Sequence, residues 1–363
     1  MERAPQGLRR GAGEPLPTIE ISEEARELHQ RALVIDAHAD TPTEWFTRSG
    51  YDFSRRNEQG HIDLPRLREG GVDLQFMIAW ITDDRERIGG RSFFDHTVEL
   101  IELIVERVAE TPGTELITES VELDEARRAG RTAIMIGVEG GHAIENSLEN
   151  LHRLHELGTR YLTLTWNHNN DWADSATDAP QHGGLTPFGR EVIRELNELR
   201  ILIDLSHAAE TTFYQVLETS AQPVIASHSC ARTIADHPRN LDDQQLRELA
   251  RAGGVVGVNF FPLFLDSEYA EIYEREGPTS KRLPQIGVER VIDHIEEIVE
   301  VAGIDHVALG SDFDGITTTP IGLPDIAALP VITELLLRRG FHHHEIEKIL
   351  GKNLLHLIAH VIG

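Results

Sequence analysis

Ile35-Asp36-Ala37-His38-Ala39-Asp40 is the stretch on which the fold of this chain turns. Its apolar start favours an extended strand. On such a strand His38 and Asp40, two residues apart, point to the same face. The same signature, an apolar run that gives way to polar side chains, recurs along the chain at residues 32–36, 72–79, 132–138, 161–165, 201–205, 224–226, 255–258 and 306–309. Between these runs, apolar residues recur at three- and four-residue spacing, as in Val98, Ile101 and Val105, with Leu103 between the last two, or in Leu148, Leu151, Leu154 and Leu157, the spacing of amphipathic helices. Near-continuous apolar strands joined by helices imply a parallel α/β sheet covered on both faces. Eight repeats of that unit fit a closed (β/α)8 barrel of the TIM type, and a doubly wound open sheet is the alternative built from the same alternation.

At 363 residues the chain has the length of one such barrel with insertions. We expect residues 18–363 to form a single catalytic barrel domain and residues 1–17, rich in Gly, Pro and Arg, to be a poorly ordered N-terminal segment. Acidic residues outnumber basic ones by 61 to 34, a formal charge of −27. A field of that sign repels phosphate backbones and anionic lipid, which argues against nucleic-acid and membrane partners. No run of signal-peptide or membrane-spanning length is present, so a cytoplasmic protein is expected. Cys230 is the single cysteine, which excludes an intrachain disulfide and a thiolate zinc cluster. Any metal must be held by His, Asp and Glu.

Such residues collect where the runs end. The first run leads into His38 and Asp40, the third into Glu139, the fifth into His207, the sixth into His228 and the eighth into Asp312. Taken singly, a buried hydrogen-bonded His or a helix-capping Asp is the commoner role. Closure of a barrel brings its strand ends to one mouth, and His and carboxylate side chains converging there call for a cation. Imidazole and carboxylate ligands without sulfur suit zinc, with manganese or cobalt as alternatives, and the set is not the all-oxygen one of calcium. The ligands exceed what one catalytic zinc needs, so two ions sharing a carboxylate are expected, with Glu139 placed to bridge them.

Competing chemistries lack their motifs. There is no Walker A loop, no G-x-S-x-G elbow and no dinucleotide fingerprint, since Gly253-Gly254-Val255-Val256-Gly257 precedes a strand. Cys230, close after His228, reads as a small buried residue and not a nucleophile. Residues 261–287 carry no strand pattern and have the length of a lid or binding loop, with a plain surface excursion as the equal alternative. The tract His342-His343-His344 reads as an exposed helix start.

The strand-end segments together resemble the membrane dipeptidase, or renal dipeptidase, family of binuclear zinc peptidases with a metallo-dependent hydrolase barrel. The resemblance runs from about Val34 to the C-terminus. It is carried by Val34-Ile35-Asp36-Ala37-His38-Ala39-Asp40, Val138-Glu139-Gly140-Gly141, Tyr161-Leu162-Thr163-Leu164-Thr165, Trp172-Ala173-Asp174, Leu202-Ile203-Asp204-Leu205-Ser206-His207, Pro223-Val224-Ile225-Ala226-Ser227-His228-Ser229, Arg239-Asn240, Gly310-Ser311-Asp312-Phe313-Asp314-Gly315 and Gly351-Lys352-Asn353-Leu354-Leu355. It implies that His38 and Asp40 bind one zinc, His207 and His228 the other, and that Glu139 bridges them. It further implies that Asp312 is a ligand or the proton shuttle and that Arg239 grips the substrate's C-terminal carboxylate. One position departs: the family's animal members place a substrate-contacting His where this chain has Trp166, so that contact is lost or passes to His168. The animal enzymes' signal sequence and C-terminal anchor peptide are not expected here, and the resemblance implies a bacterial-type intracellular member.

The activity so implied is hydrolysis of small dipeptides by a hydroxide held between two zinc ions, with Asp312 passing the proton to the departing amine. A related binuclear amidohydrolase acting on another small amide and a catalytically silent metal-binding scaffold are the rival readings. A homodimer is the default oligomer.

Overall fold

In a computed structural model that describes residues 19–363, nine strands alternate with helices. They are β1 (Ile35–Ala39), β2 (Leu74–Trp80), β3 (Thr114–Leu116), β4 (Thr132–Glu139), β5 (Thr159–Thr163), β6 (Leu202–Asp204), β7 (Ile225–Ser229), β8 (Val255–Val258) and β9 (Val307–Leu309). All the pairings are parallel, in the order β2-β1-β9-β8-β7-β6-β5-β4-β3, and a further β2–β4 pairing closes the ring. The result is a closed barrel of eight strands, with β3 outside the ring. Each of the eight expected runs overlaps one barrel strand. The sequence reading did not include β3, a three-residue strand on the first rungs of β4, because three residues are too short to show a period. The expected N-terminal segment, residues 1–17, lies outside the described residues.

Alternation along each strand sorts the core into two layers. Leu74, Phe76 and Ile78 of β2 join Ile35, Ala37, Met135 and Tyr161 in one cluster inside the barrel, while Met77 and Ala79 join the cluster beneath the helices. The inner cluster also takes Leu354, Leu357, Ile358 and Val361 from the last helix, Asn353–Val361. The helix Phe93–Glu110 corrects one detail of the sequence reading: its buried face is Thr97, Leu100, Ile101, Ile104 and Val108, and Val105 is 38% exposed. In Leu148–Glu156, Leu151 and Leu154 are buried as expected.

Residues 261–287 hold two helices, Pro262–Leu265 and Ser267–Glu276. His342 is the exposed N-cap of the helix His343–Glu347, which buries Ile346. Gly310 follows β9 where a Cβ would stand 1.8 Å from the Ser227 carbonyl oxygen, so β7 and β9 approach as only glycine allows. From there the chain turns into the mouth through Asp312 and Asp314, both at positive φ (60° and 70°).

Candidate metal centre

Every candidate ligand sits at the C-terminal end of a barrel strand or just beyond it. His38 comes from β1 and Asp40 just after it, Glu139 ends β4, His207 follows β6, His228 is in β7 and Asp312 follows β9. All six are buried. His38 Nε2 lies 3.6 Å from Asp40 Oδ2 and 3.6 Å from Glu139 Oε2. On the other side of the same carboxylate, Glu139 Oε1 is 2.9 Å from His207 Nε2 and 3.5 Å from His228 Nε2. Two three-residue groups therefore form, His38–Asp40–Glu139 and Glu139–His207–His228, sharing Glu139.

The outer atoms of the imidazoles fix their inner ones. Nδ1 of His38 is 2.7 Å from the Tyr161 hydroxyl, Nδ1 of His228 is 2.8 Å from Ser227 Oγ, and Nδ1 of His207 is 3.1 Å from Asn167 Oδ1. With a proton on each Nδ1, those oxygens accept, and all three Nε2 lone pairs face the carboxylates. Ser227 Oγ is free to accept because its own hydroxyl donates to Asp204 Oδ2 at 2.7 Å. Asp204 also accepts from Thr163 Oγ1 and from the Ser206 and Ser227 amides, so its oxygens are taken up and it serves as a brace behind the site, although it too lies close to His38 and His228. His207, at a φ of 68°, is held in a conformation that L-residues avoid.

The electrostatics call for positive charge. Burial pushes the Asp40 carboxyl up to about 8 and Asp312 up to about 6. Burial also opposes charge on His38, yet Glu139 and Asp40 hold it well above the ordinary imidazole range. His38 Nε2, Asp40 Oδ1 and Glu139 Oε1 are buried without a hydrogen-bond partner. Four zinc ligands about 2.0–2.1 Å from the ion stand roughly 3.3 Å apart in a tetrahedron, close to the separations found here. Divalent ions fit this donor set.

Above the cluster opens a cavity of about 520 Å³ whose wall includes Trp80, Trp166, His168, Arg239, Phe261 and Phe264. The Arg239 side chain is buried; Nη2 donates to the His228 carbonyl at 3.2 Å, while Nε and Nη1 have no partner. The Trp166 ring packs edge-on against Trp80 with centroids 5.0 Å apart. His168 lies at the rim, its side chain 60% exposed and paired with Asp83. The Cys230 thiol is buried, pushed up to about 12 by that burial, and donates to the Asn259 carbonyl, which leaves it inert.

The family model for membrane dipeptidase, peptidase family M19, matches residues 22–362. The chain belongs to this family. Dipeptidase 3 of Mus musculus is 36% identical to this family member over 353 residues, 94% of this chain and 67% of that protein. Dipeptidase verJ of Clonostachys rogersoniana is 34% identical over 343 residues, 90% of this chain and 84% of that one. A solved metallopeptidase from Rhodobacter sphaeroides, liganded with a phosphinate mimic of the dipeptide L-Ala-D-Ala, is 25% identical with a TM-score of 0.80, covering 91% of this chain and 99% of that one.

In this dipeptidase-family chain the parts played by the supporting residues are not legible in the sequence. Tyr161 and Ser227 belong to segments that carry the resemblance, but they sit inside strands, and their contacts with the candidate ligands arise only when the barrel closes. Asn259, just past the end of β8, braces Asp312, its Nδ2 donating to Asp312 Oδ2 at 2.8 Å. Gly315 lay within a quoted motif, but its reason is spatial: a Cβ there would come within 2.0 Å of Asp40 Oδ2 and 2.6 Å of Asp312 Oδ1. Among the described residues no helix is long and apolar enough to cross a membrane.

Proposed function

We propose that the chain is a dipeptidase that depends on two divalent ions, zinc first with manganese or cobalt as substitutes, and cleaves the peptide bond of small dipeptides. The observation that carries this reading is Glu139, whose two oxygens face two separate His-containing groups. Family membership and relatives named dipeptidases support it. His38 and Asp40 would hold one ion, His207 and His228 the other, and Glu139 both. When bound, the ions supply Lewis acidity for the carbonyl and water acidic enough to attack at neutral pH.

The remaining work falls to side chains. Arg239 offers its unpartnered Nε and Nη1 to the C-terminal carboxylate, a fork that favours short substrates with a free carboxyl end. Asp312 is pinned through Oδ2 by Asn259, which leaves Oδ1, 4.0 Å from His38 Nε2, to take a proton from water and return it to the departing amine. Trp166 shapes the wall without carrying a proton. His168, tied to Asp83, orients the rim.

Metal-reconstituted protein is expected to hydrolyse L,L- or L,D-dipeptides and to lose turnover after chelation, with two ions bound per chain. Stoichiometric binding of two ions without turnover of any small amide would instead favour the scaffold reading. Arg239→Ala separates a dipeptidase from a broader amidohydrolase: KM for free-carboxylate dipeptides should rise at least about tenfold, the scale of a lost charged hydrogen bond. An unchanged KM would remove Arg239 from that role.

A further inference from the structure

Around the barrel mouth the strands run β1, β2, β4, β5, β6, β7, β8, β9. Trp80 ends β2, Glu139 ends β4 and Trp166 follows β5; Arg239 follows β7, Phe261–Phe264 follow β8 and Gly315 follows β9. The two sets are centred on β4 and on β8, four places apart in a ring of eight, so they face each other across the mouth. The cavity thus has two facing walls, Trp80 and Trp166 on one side and Phe261, Leu263 and Phe264 on the other, with Glu139 and the rest of the candidate metal cluster at its floor.

The wall beside Arg239 is apolar. The guanidinium lies 5.2 Å over the Phe264 ring, and Phe261 packs edge-on against both Phe264 (5.4 Å) and Tyr273 (5.7 Å). Leu263, from the helix between them, also lines the cavity and stays partly exposed. This wall is held in place: Tyr269 and Tyr273 share hydrogen bonds with Thr318 (2.8 Å) and Thr317 (3.3 Å), and Glu274 lies 3.3 Å from His237 Nε2. Those contacts tie the helix Ser267–Glu276 to the loops after β7 and β9.

A dipeptide has a fixed chemical order. Only its C-terminal residue lies between the carboxylate and the scissile bond. With the carboxylate on Arg239 and the carbonyl over the Glu139 cluster, that residue lies next to the guanidinium, within reach of the wall after β8, whose Phe264 ring the guanidinium overlies, and the N-terminal residue extends toward Trp80 and Trp166. Resting on the dipeptidase reading, we propose that Phe261, Leu263, Phe264 and Tyr273 form a specificity surface that selects dipeptides with a large apolar side chain on the C-terminal residue. Burying that side chain removes apolar surface from water on both partners, and each methylene so placed is worth about fourfold in discrimination.

The isomers Gly-Leu and Leu-Gly, with Gly-Gly as reference, test this on the metal-loaded full chain. Gly-Leu should exceed Gly-Gly in kcat/KM by at least about tenfold. Leu263→Ser, and independently Tyr273→Ser, should lower kcat/KM for Gly-Leu several-fold more than for Leu-Gly. Equal rates for Gly-Leu and Gly-Gly, or equal losses for the two isomers in both variants, would overturn the proposal while leaving the dipeptidase reading intact. Failure to cleave all three while an L,D-dipeptide turns over would overturn the proposal, and failure on the L,D-dipeptide as well would remove the dipeptidase reading with it. The wild-type comparison stands even where a variant does not fold.

Discussion

A single hydroxyl decides how His38 presents itself. Tyr161 OH, 2.7 Å from Nδ1, holds the ring so that Nε2 faces Asp40 and Glu139. Tyr161→Phe keeps the packing and deletes the partner, and metal affinity measured by titration should fall about 10–100-fold, the usual cost of losing such a support. Unchanged affinity would mean that packing alone orients the ring. Gly315 makes the converse case, since it contributes by having no side chain. Gly315→Ala drives a methyl into the Asp40 and Asp312 carboxylates, so activity should fall at least about tenfold while far-ultraviolet circular dichroism stays native, a loss of positioning with the fold kept. Full activity would show that the loop yields.

At the scale of elements, one serine joins the first described helix to a distant one. Ser22 caps Glu23–Arg31 by accepting from the Ala25 amide at 3.2 Å, and its own hydroxyl and amide donate to Glu334 Oε2 at 2.6 and 2.9 Å. Ser22→Ala should cost about 1–2 kcal/mol in chemical denaturation, as caps generally do; a loss within error would mean that the Glu334 contact is solvent-compensated. Elements of this kind also show what the sequence could reveal. Strands of the barrel were legible because burial on both faces demands long apolar runs, and the candidate ligands were legible because they break those runs at one end. β3 was not, since its place depends on the rungs that β4 leaves open below β5. Nor was the true face of Phe93–Glu110 fully legible, because Val98, Ile101, Leu103 and Val105 suit more than one helical stripe. The bracing atoms of Asp204, Ser227 and Asn259 become visible only once separate strands are side by side.

For the whole molecule, buried histidines make stability depend on pH. His294 Nδ1 accepts from the Ala231 amide at 3.1 Å while Nε2 donates to the Leu265 carbonyl, so the folded ring has no room for a second proton. Burial accordingly pushes it down to about 4 from an ordinary 6.5. Burial lowers His29 in the same way. Between those pH values the unfolded chain takes up a proton at His294 that the folded chain refuses, so the contribution of this ring is whole above pH 6.5 and is lost as pH falls toward 4. For His294 the slope approaches about 1.4 kcal/mol per pH unit, and His29 adds to it in the same direction. Denaturation midpoints taken from pH 7 to 4.5 should show the decline, and His294→Gln should flatten it; an unaltered slope in that variant would assign the effect to other groups.

Ring closure through β2 and β4 leaves the sheet almost nowhere for a stranger to attach. Every barrel strand has a neighbour on each side, and β3, outside the ring, offers only Thr114–Leu116. Three residues are too few rungs to template an incoming strand, which protects against the ribbon-to-ribbon stacking that open sheets invite. Any pairing of two copies through the described residues must therefore be made by side chains on helices and loops, leaving the backbone ladder out of it.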